Sequence, residues 1–125
     1  LIKKWVRASV THSVHLTVRF VNRTEGQTLN SQFRTKAYAT NVLTFTYGIS
    51  QRELAADIVI CMPVVTSEAH DQGKAVKAHL AHLVVHGCLH AAGLDHMTQR
   101  DAKVMEAREV AILKNLGFSD PYVIN

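Results

Sequence analysis

The stretch His86-Gly87-Cys88-Leu89-His90-Ala91-Ala92-Gly93-Leu94-Asp95-His96 carries three histidines, with three and then five residues between them. The first interval puts two imidazoles one helical turn apart on one face, where both reach a single ion. Gly93, just past His90, is placed to end that helix with a positive φ and to swing the chain back, bringing His96 toward the other two. Three neutral imidazoles suit Zn²⁺, and an unfilled fourth tetrahedral position distinguishes a catalytic ion from a structural one. The expectation is one Zn²⁺ per chain, held by His86, His90 and His96. At this composition chance supplies roughly half an HxxxH pair but only about 0.03 of the full triplet, so the second interval carries the signal.

Neighbouring side chains are weighed against the same geometry. Cys88 points well away from the face shared by His86 and His90, and together with Cys61 it sits in an apolar segment, where a free thiol behaves as a small hydrophobe. Asp95, beside His96, is the nearest carboxylate; it fits a general base or a hydrogen-bond partner of a ligand imidazole. His82 and His79 fall on or near the face of His86, where either could line the cleft, but one ion cannot take four helical ligands in a row, and both read as partly exposed or hydrogen-bonded structural histidines. His12, His15 and His70 carry no spacing signal.

The elements that must position these groups follow from patterning. Ile2 to Val10 reads as a short amphipathic helix with Ile2, Trp5, Val6 and Val10 on one side. Val14, Leu16, Val18 and Phe20 alternate as a half-buried strand. Thr24 to Arg34 reads as a helix capped by Thr24, with Leu29 and Phe33 inward, and Thr40 to Tyr47 returns to β structure. Gly48 to Glu53 connects to a strand over Asp57 to Met62 whose continuous apolar run implies cover on both faces, and Pro63 ends its pairing. Thr66 to Gln72 then forms a helical segment closed by Gly73. Ala75 to Ala92 is the long histidine-bearing helix, with Val76, Leu80, Leu83 or Val84, and Gly87 as its apolar stripe. Gly87 costs about 1 kcal/mol relative to alanine inside a helix, which points to a close neighbour. Thr98 to Leu116 is a last amphipathic helix with Val104, Ala111 and Ile112 inward, ended by Gly117. The order predicts an α+β fold: a small mixed sheet of three or four strands, about five helices, and the metal site at the end of the long helix.

Length and charge bound the partners. With 125 residues, 47% of them hydrophobic, the chain is expected to form a single domain over 1–125. Its apolar runs are far too short for a membrane span, no leader is legible, and two cysteines make no disulfide framework. These features lead to an expectation of a soluble cytoplasmic protein with no membrane partner. Residues 1–52 hold eight Lys/Arg and one acid, a balance of +7, whereas residues 53–125 hold six against nine, a balance of −3. The basic half suggests a polyanionic partner.

HxxxHxxGxxH is also the spacing of metzincin peptidases, but those enzymes place a glutamate after the first histidine as base, and here that position is Gly87. A closer likeness lies elsewhere. The stretch from Ala81 to His96 resembles the signature of the YbeY family of bacterial metal-dependent endoribonucleases. A second block agrees: Leu29-Asn30-Ser31-Gln32-Phe33-Arg34-Thr35-Lys36, then Thr40-Asn41-Val42-Leu43-Thr44-Phe45. Asp57-Ile58-Val59-Ile60-Cys61 and Leu116-Gly117-Phe118-Ser119-Asp120-Pro121-Tyr122 are similar as well, so the likeness covers nearly the whole chain in order. It implies that His86, His90 and His96 are zinc ligands and that Arg34 engages RNA phosphate, a role its paired guanidinium donors suit. Two departures stand out. Ala37 occupies a position that is usually acidic in the family, and the sequence starts at or near the first helix, where family members usually have a strand ahead of it, so an exposed sheet edge is the expectation.

The resemblance implies a zinc-dependent, single-strand-specific endoribonuclease acting in rRNA 3′ end maturation and ribosome quality control. Its implied partners are rRNA and ribosomal particles, with ribosomal proteins or an assembly GTPase as further candidates. Two other classes share some of these features. A metal-dependent hydrolase of a peptide or small molecule would use the histidines but not the basic half, and a non-catalytic ribosome-binding factor would keep RNA affinity without the metal ligands.

Overall fold

The computed structural model describes the backbone of residues 1–10, 13–34, 41–49, 53–91 and 99–122, and the side chains of these except 13–15, 30–34, 45–49, 53–55 and 99. Its element order is α1 (Ile2–Ser9), β1 (Ser13–Val21), α2 (Arg23–Arg34), β2 (Val42–Ile49), β3 (Glu53–Cys61), α3 (Met62–Asp71), α4 (Val76–Ala91) and α5 (Gln99–Asn115). The three described strands form one mixed sheet in the order β1-β3-β2, so the α+β expectation is met. β1 runs parallel to β3, from Ser13 opposite Glu53 to Val21 opposite Cys61. β2 runs antiparallel to β3, with an irregularity between Thr46 and Gly48. Among the described residues β1 and β2 are the two edge strands.

The central strand β3 explains the layers. Ala56, Ile58 and Ile60 alternate onto one face and join Trp5 and Val10 from the N-terminal segment, Val84, Val85 and Leu89 of α4, and Met105 and Leu113 of α5 in the main core. Val59 and Cys61 point the other way, where they meet Val21, Leu43 and Leu29 of α2. Both faces are therefore covered, which the continuous Ile/Val run requires.

The helix α4 sits at the centre, touching α1, α3, α5 and the sheet. It is consequently buried almost all round: Ala81, Leu83, Val84, Val85, Cys88, Leu89 and Ala91 are all buried. The single stripe expected from its sequence is thus too narrow, and Val76, placed on that stripe, is exposed. Gly87 has the close neighbour its type implied. A Cβ there would lie 3.3 Å from Ile58 Cδ1 and Cγ2 and 3.5 Å from Thr44 Oγ1, so the missing side chain lets α4 settle onto β2 and β3.

Several boundaries differ from the sequence reading. Strand β3 begins at Glu53 rather than Asp57, because pairing with both neighbours continues past the apolar run. Helix α3 begins at Met62 rather than Thr66, with Pro63 in its first turn, where proline removes only an N–H that has no helical partner. The cap of α2 is Asn22, whose Oδ1 accepts from the Glu25 N–H at 2.8 Å, ahead of the Thr24 that was expected. Along α5 the buried residues are Met105, Glu109, Ile112 and Leu113, whereas Val104 and Ala111 are exposed. The inward stripe is therefore rotated from the expected one, and it contains a carboxylate.

Candidate functional site

His86 and His90 lie one turn apart in the last two turns of α4, both half-buried. Opposite them, α5 presents Glu109, which is completely buried. Its Oε1 is 2.5 Å from His86 Nδ1, and its Oε2 is 2.9 Å from His82 Nε2. Tyr122 donates its hydroxyl to the same Oε2 and stands 3.1 Å from His82 Nε2. A buried carboxylate thus joins two turns of α4 to the C-terminal segment.

The charge on Glu109 follows from its partners. Burial alone pushes its carboxyl up, but the hydrogen bonds from His82, His86 and Tyr122, with the charge of a protonated His86, outweigh it and hold it at about 2. Burial and the same carboxylate push the Tyr122 phenol well above its usual range, so it stays a donor. An ionised carboxylate only accepts, so both imidazole nitrogens facing it carry protons when the rings are neutral. For His86 that means Nδ1–H, with the lone pair on Nε2.

One local turn and two contacts deliver Tyr122 to this place. The end of α5 is a Schellman turn in which Phe118 N–H reaches Leu113 C=O at 2.8 Å and Gly117 N–H reaches Lys114 C=O at 3.0 Å. Gly117 takes a φ of +92° to close it. Phe118 then packs edge-on against Trp5, and Lys74 Nζ donates to Pro121 C=O at 2.9 Å, fixing the segment against the start of α4. One turn further back on α4, His79 is buried with its Nε2 3.1 Å from Glu68 Oε1, a carboxylate that also takes Asn41 Nδ2. The expected structural, hydrogen-bonded role of His79 and His82 matches these contacts. Cys88 is fully buried, and burial pushes its thiol up to about 12, a state fitting the packing role expected of it.

The remaining predicted site residues are only partly placed. Arg34 closes α2, its side chain falling outside those described. Gly93, Asp95, His96 and Ala37 lie outside the described residues. Among the described residues no group of three or more His, Cys, Asp or Glu side chains is arranged to hold a metal ion; the structure brings together two of the three expected ligands. Those two fit the ion on chemistry: both are imidazoles on one helical face, and the first has a carboxylate on its other ring nitrogen, the usual second partner of a zinc-bound histidine. A cavity of about 500 Å³ lies elsewhere, between α1 and β1, and touches none of these residues.

Sequence reasoning missed Glu109 and Tyr122. The signal for Glu109 was an acid in the middle of the apolar series Met105, Ile112 and Leu113, four residues after the first and three before the second.

The family model described as Endoribonuclease YbeY matches residues 1–117. The chain is also 61% identical over 123 residues to the Endoribonuclease YbeY of Polynucleobacter asymbioticus, covering 98% of this chain and 79% of that protein. The chain belongs to the endoribonuclease YbeY family. A second YbeY relative, from Burkholderia cenocepacia, is 54% identical over 124 residues, covering 98% of this chain and 72% of its own. The solution structure of TM1509 from Thermotoga maritima superposes with a TM-score of 0.57 at 25% identity, covering 98% of this chain and 86% of that one. YbeY membership supports a nuclease activity of the hydrolase class.

Proposed function

We propose that this YbeY-family chain is a zinc-dependent, single-strand-specific endoribonuclease that acts in the cytoplasm on rRNA 3′ ends and in ribosome quality control. In this reading His86, His90 and His96 hold one Zn²⁺ per chain, Arg34 engages the scissile phosphate, and Asp95 supports the site. The observation that carries the reading is His86, one turn before His90 on α4 and hydrogen-bonded through Nδ1 to the buried Glu109, in a chain of this family.

When bound, such an ion supplies Lewis-acid chemistry, lowering the pKa of a water or polarising a phosphoryl oxygen. The protein's own residues do the rest. The histidines orient, and the Arg34 guanidinium offers paired donors and a permanent charge to a phosphoryl group gaining negative charge. Asp95, next to His96 in sequence, is the proposed hydrogen-bond acceptor for a ligand imidazole. The ribosomal particle is the proposed partner, with ribosomal proteins or an assembly GTPase as its contacts, and the basic N-terminal half is the proposed RNA-facing charge.

The test is cleavage of single-stranded RNA by the purified protein, with His86→Ala, Arg34→Glu and a chelator as comparisons. Loss of cleavage in all three is the expected result; cleavage indifferent to all three would trace to a contaminating nuclease and end the proposal. Trapping a 2′,3′-cyclic phosphate would show attack by the ribose 2′-hydroxyl rather than by water.

A further inference from the structure

Glu109 is a fully buried acid in a stripe otherwise made of Met105, Ile112 and Leu113. A leucine there would pack without taking a charge out of water, so packing alone does not account for a carboxylate. Both of its oxygens are engaged, and differently. Oε2 is held by His82 Nε2 at 2.9 Å and by the Tyr122 hydroxyl, which fixes the plane of the carboxylate from one side. Among the described residues Oε1 has one partner, His86 Nδ1, at 2.5 Å.

We propose that Glu109 is a positioning residue of the metal site: gripped on Oε2 by His82 and Tyr122, it uses Oε1 to hold the His86 ring in the Nδ1–H tautomer and in the plane that turns Nε2 toward the ion. This inference rests on the zinc reading above and names the residue that prepares the first ligand. A carboxylate has no proton to give, so the imidazole nitrogen facing it carries the hydrogen and the lone pair sits on the far nitrogen. The ring arrives with its tautomer and rotation already set, which removes an ordering cost from binding and raises the basicity of the ligating nitrogen. His82, a turn earlier on the same helix face, serves the carboxylate rather than the ion. Glu109 touches neither substrate nor metal and acts only through His86.

Two measurements test this role. The first needs no variant: long-range ¹H–¹⁵N spectra of the metal-free wild-type chain, at a pH where imidazoles are neutral, should show His86 protonated on Nδ1. Protonation on Nε2 overturns the proposal. The second compares zinc affinity, by competition with a chromophoric chelator, for wild type, Glu109→Gln and Tyr122→Phe, with unfolding midpoints measured alongside. Glu109→Gln keeps the shape but replaces the fixed acceptor by an amide, and its zinc affinity is expected to fall about 10–100-fold. Tyr122→Phe loosens one of the two holds on Oε2 but leaves the Oε1–His86 contact and the His82 hold in place, so its midpoint should fall and its zinc affinity should fall less than that of Glu109→Gln. A folded Glu109→Gln with wild-type zinc affinity would mean that Glu109 only clamps helices together, and overturns the positioning role alone. A wild-type chain that binds no zinc removes the metal reading, and this inference with it. If Glu109→Gln does not fold, Glu109→Asp, which keeps the charge but draws the carboxylate back from His86, takes its place: lowered zinc affinity in the folded variant upholds the positioning role, and wild-type affinity overturns it.

Discussion

At the scale of single residues, Gly87 and Cys88 show how the histidine helix is tuned to the sheet beneath it. Gly87→Ala gains about 1 kcal/mol of helix propensity but forces a Cβ to 3.3 Å from Ile58 side-chain carbons, an overpacking worth about 1–3 kcal/mol. A net loss of about 0–2 kcal/mol in urea unfolding is expected. Gly87→Glu puts a charge against Ile58 and Thr44 and should cost about 3–5 kcal/mol. A Gly87→Glu protein as stable as wild type would show that the position opens away from the sheet. The same geometry explains why a peptidase-type glutamate has no place here: the site after the first histidine faces the core. Cys88, with its thiol pushed from an ordinary 9.0 up to about 12 by burial, should not react with iodoacetamide at mildly alkaline pH until denaturant is added. Because the folded value lies above the unfolded one, the stabilisation is complete below pH 9.0 and is lost as pH rises toward about 12. Wild type should therefore lose stability relative to Cys88→Ala across that window. Fast labelling of the native thiol would refute the buried placement.

At the scale of elements, the disagreements on α4 and α5 share a cause. Periodicity places a stripe on a helix with one buried face, as it did for Ile2, Trp5 and Val6 on α1 and Val10 just after it, which pack as expected. It fails for α4, which touches three helices and the sheet, because a helix enclosed all round has no stripe to find. On α5 the acid within the inward series reads as a surface residue, since its partners His82, His86 and Tyr122 are distant in sequence. The pairing of His86 and His90 on one face was legible from a four-residue interval, whereas the carboxylate behind His86 depends on how two helices pack. The rotated stripe has its own test. Met105→Ala should cost about 2–5 kcal/mol, while Val104→Ala, half exposed, should stay within about 0.5 kcal/mol. Equal effects would restore the stripe expected from sequence. The C-terminal segment depends on fewer contacts: Tyr122→Phe removes its bond to a buried charge, for an expected loss of about 1–2 kcal/mol. That loss should appear as faster amide exchange over residues 118–122 than in wild type.

At the scale of the whole molecule, the charge balance of +7 in residues 1–52 against −3 in the remainder sets how a polyanion meets the protein. Not all of those cations have the same standing. Arg19 is paired with Glu25 and Arg23 donates to the Pro63 carbonyl, whereas Lys3, Lys4 and Arg7 are exposed on α1. Helix α1 packs on α4, so these three charges keep a fixed position relative to His86 and His90. If they meet phosphates, each contact adds about 0.7 to the slope of log affinity against log salt for a single strand. Replacing Lys3, Lys4 and Arg7 together by alanine should then lower that slope by about 2 and weaken single-stranded RNA binding at low salt. Zinc affinity should not change, because among the described residues none of the three touches the histidine cluster. Titration of a labelled RNA over a range of salt concentrations measures this directly. A slope equal to that of wild type would make the α1 cations ordinary solvated charges and would confine the RNA-facing charge to the α2 side of the molecule, where Arg34 closes the helix.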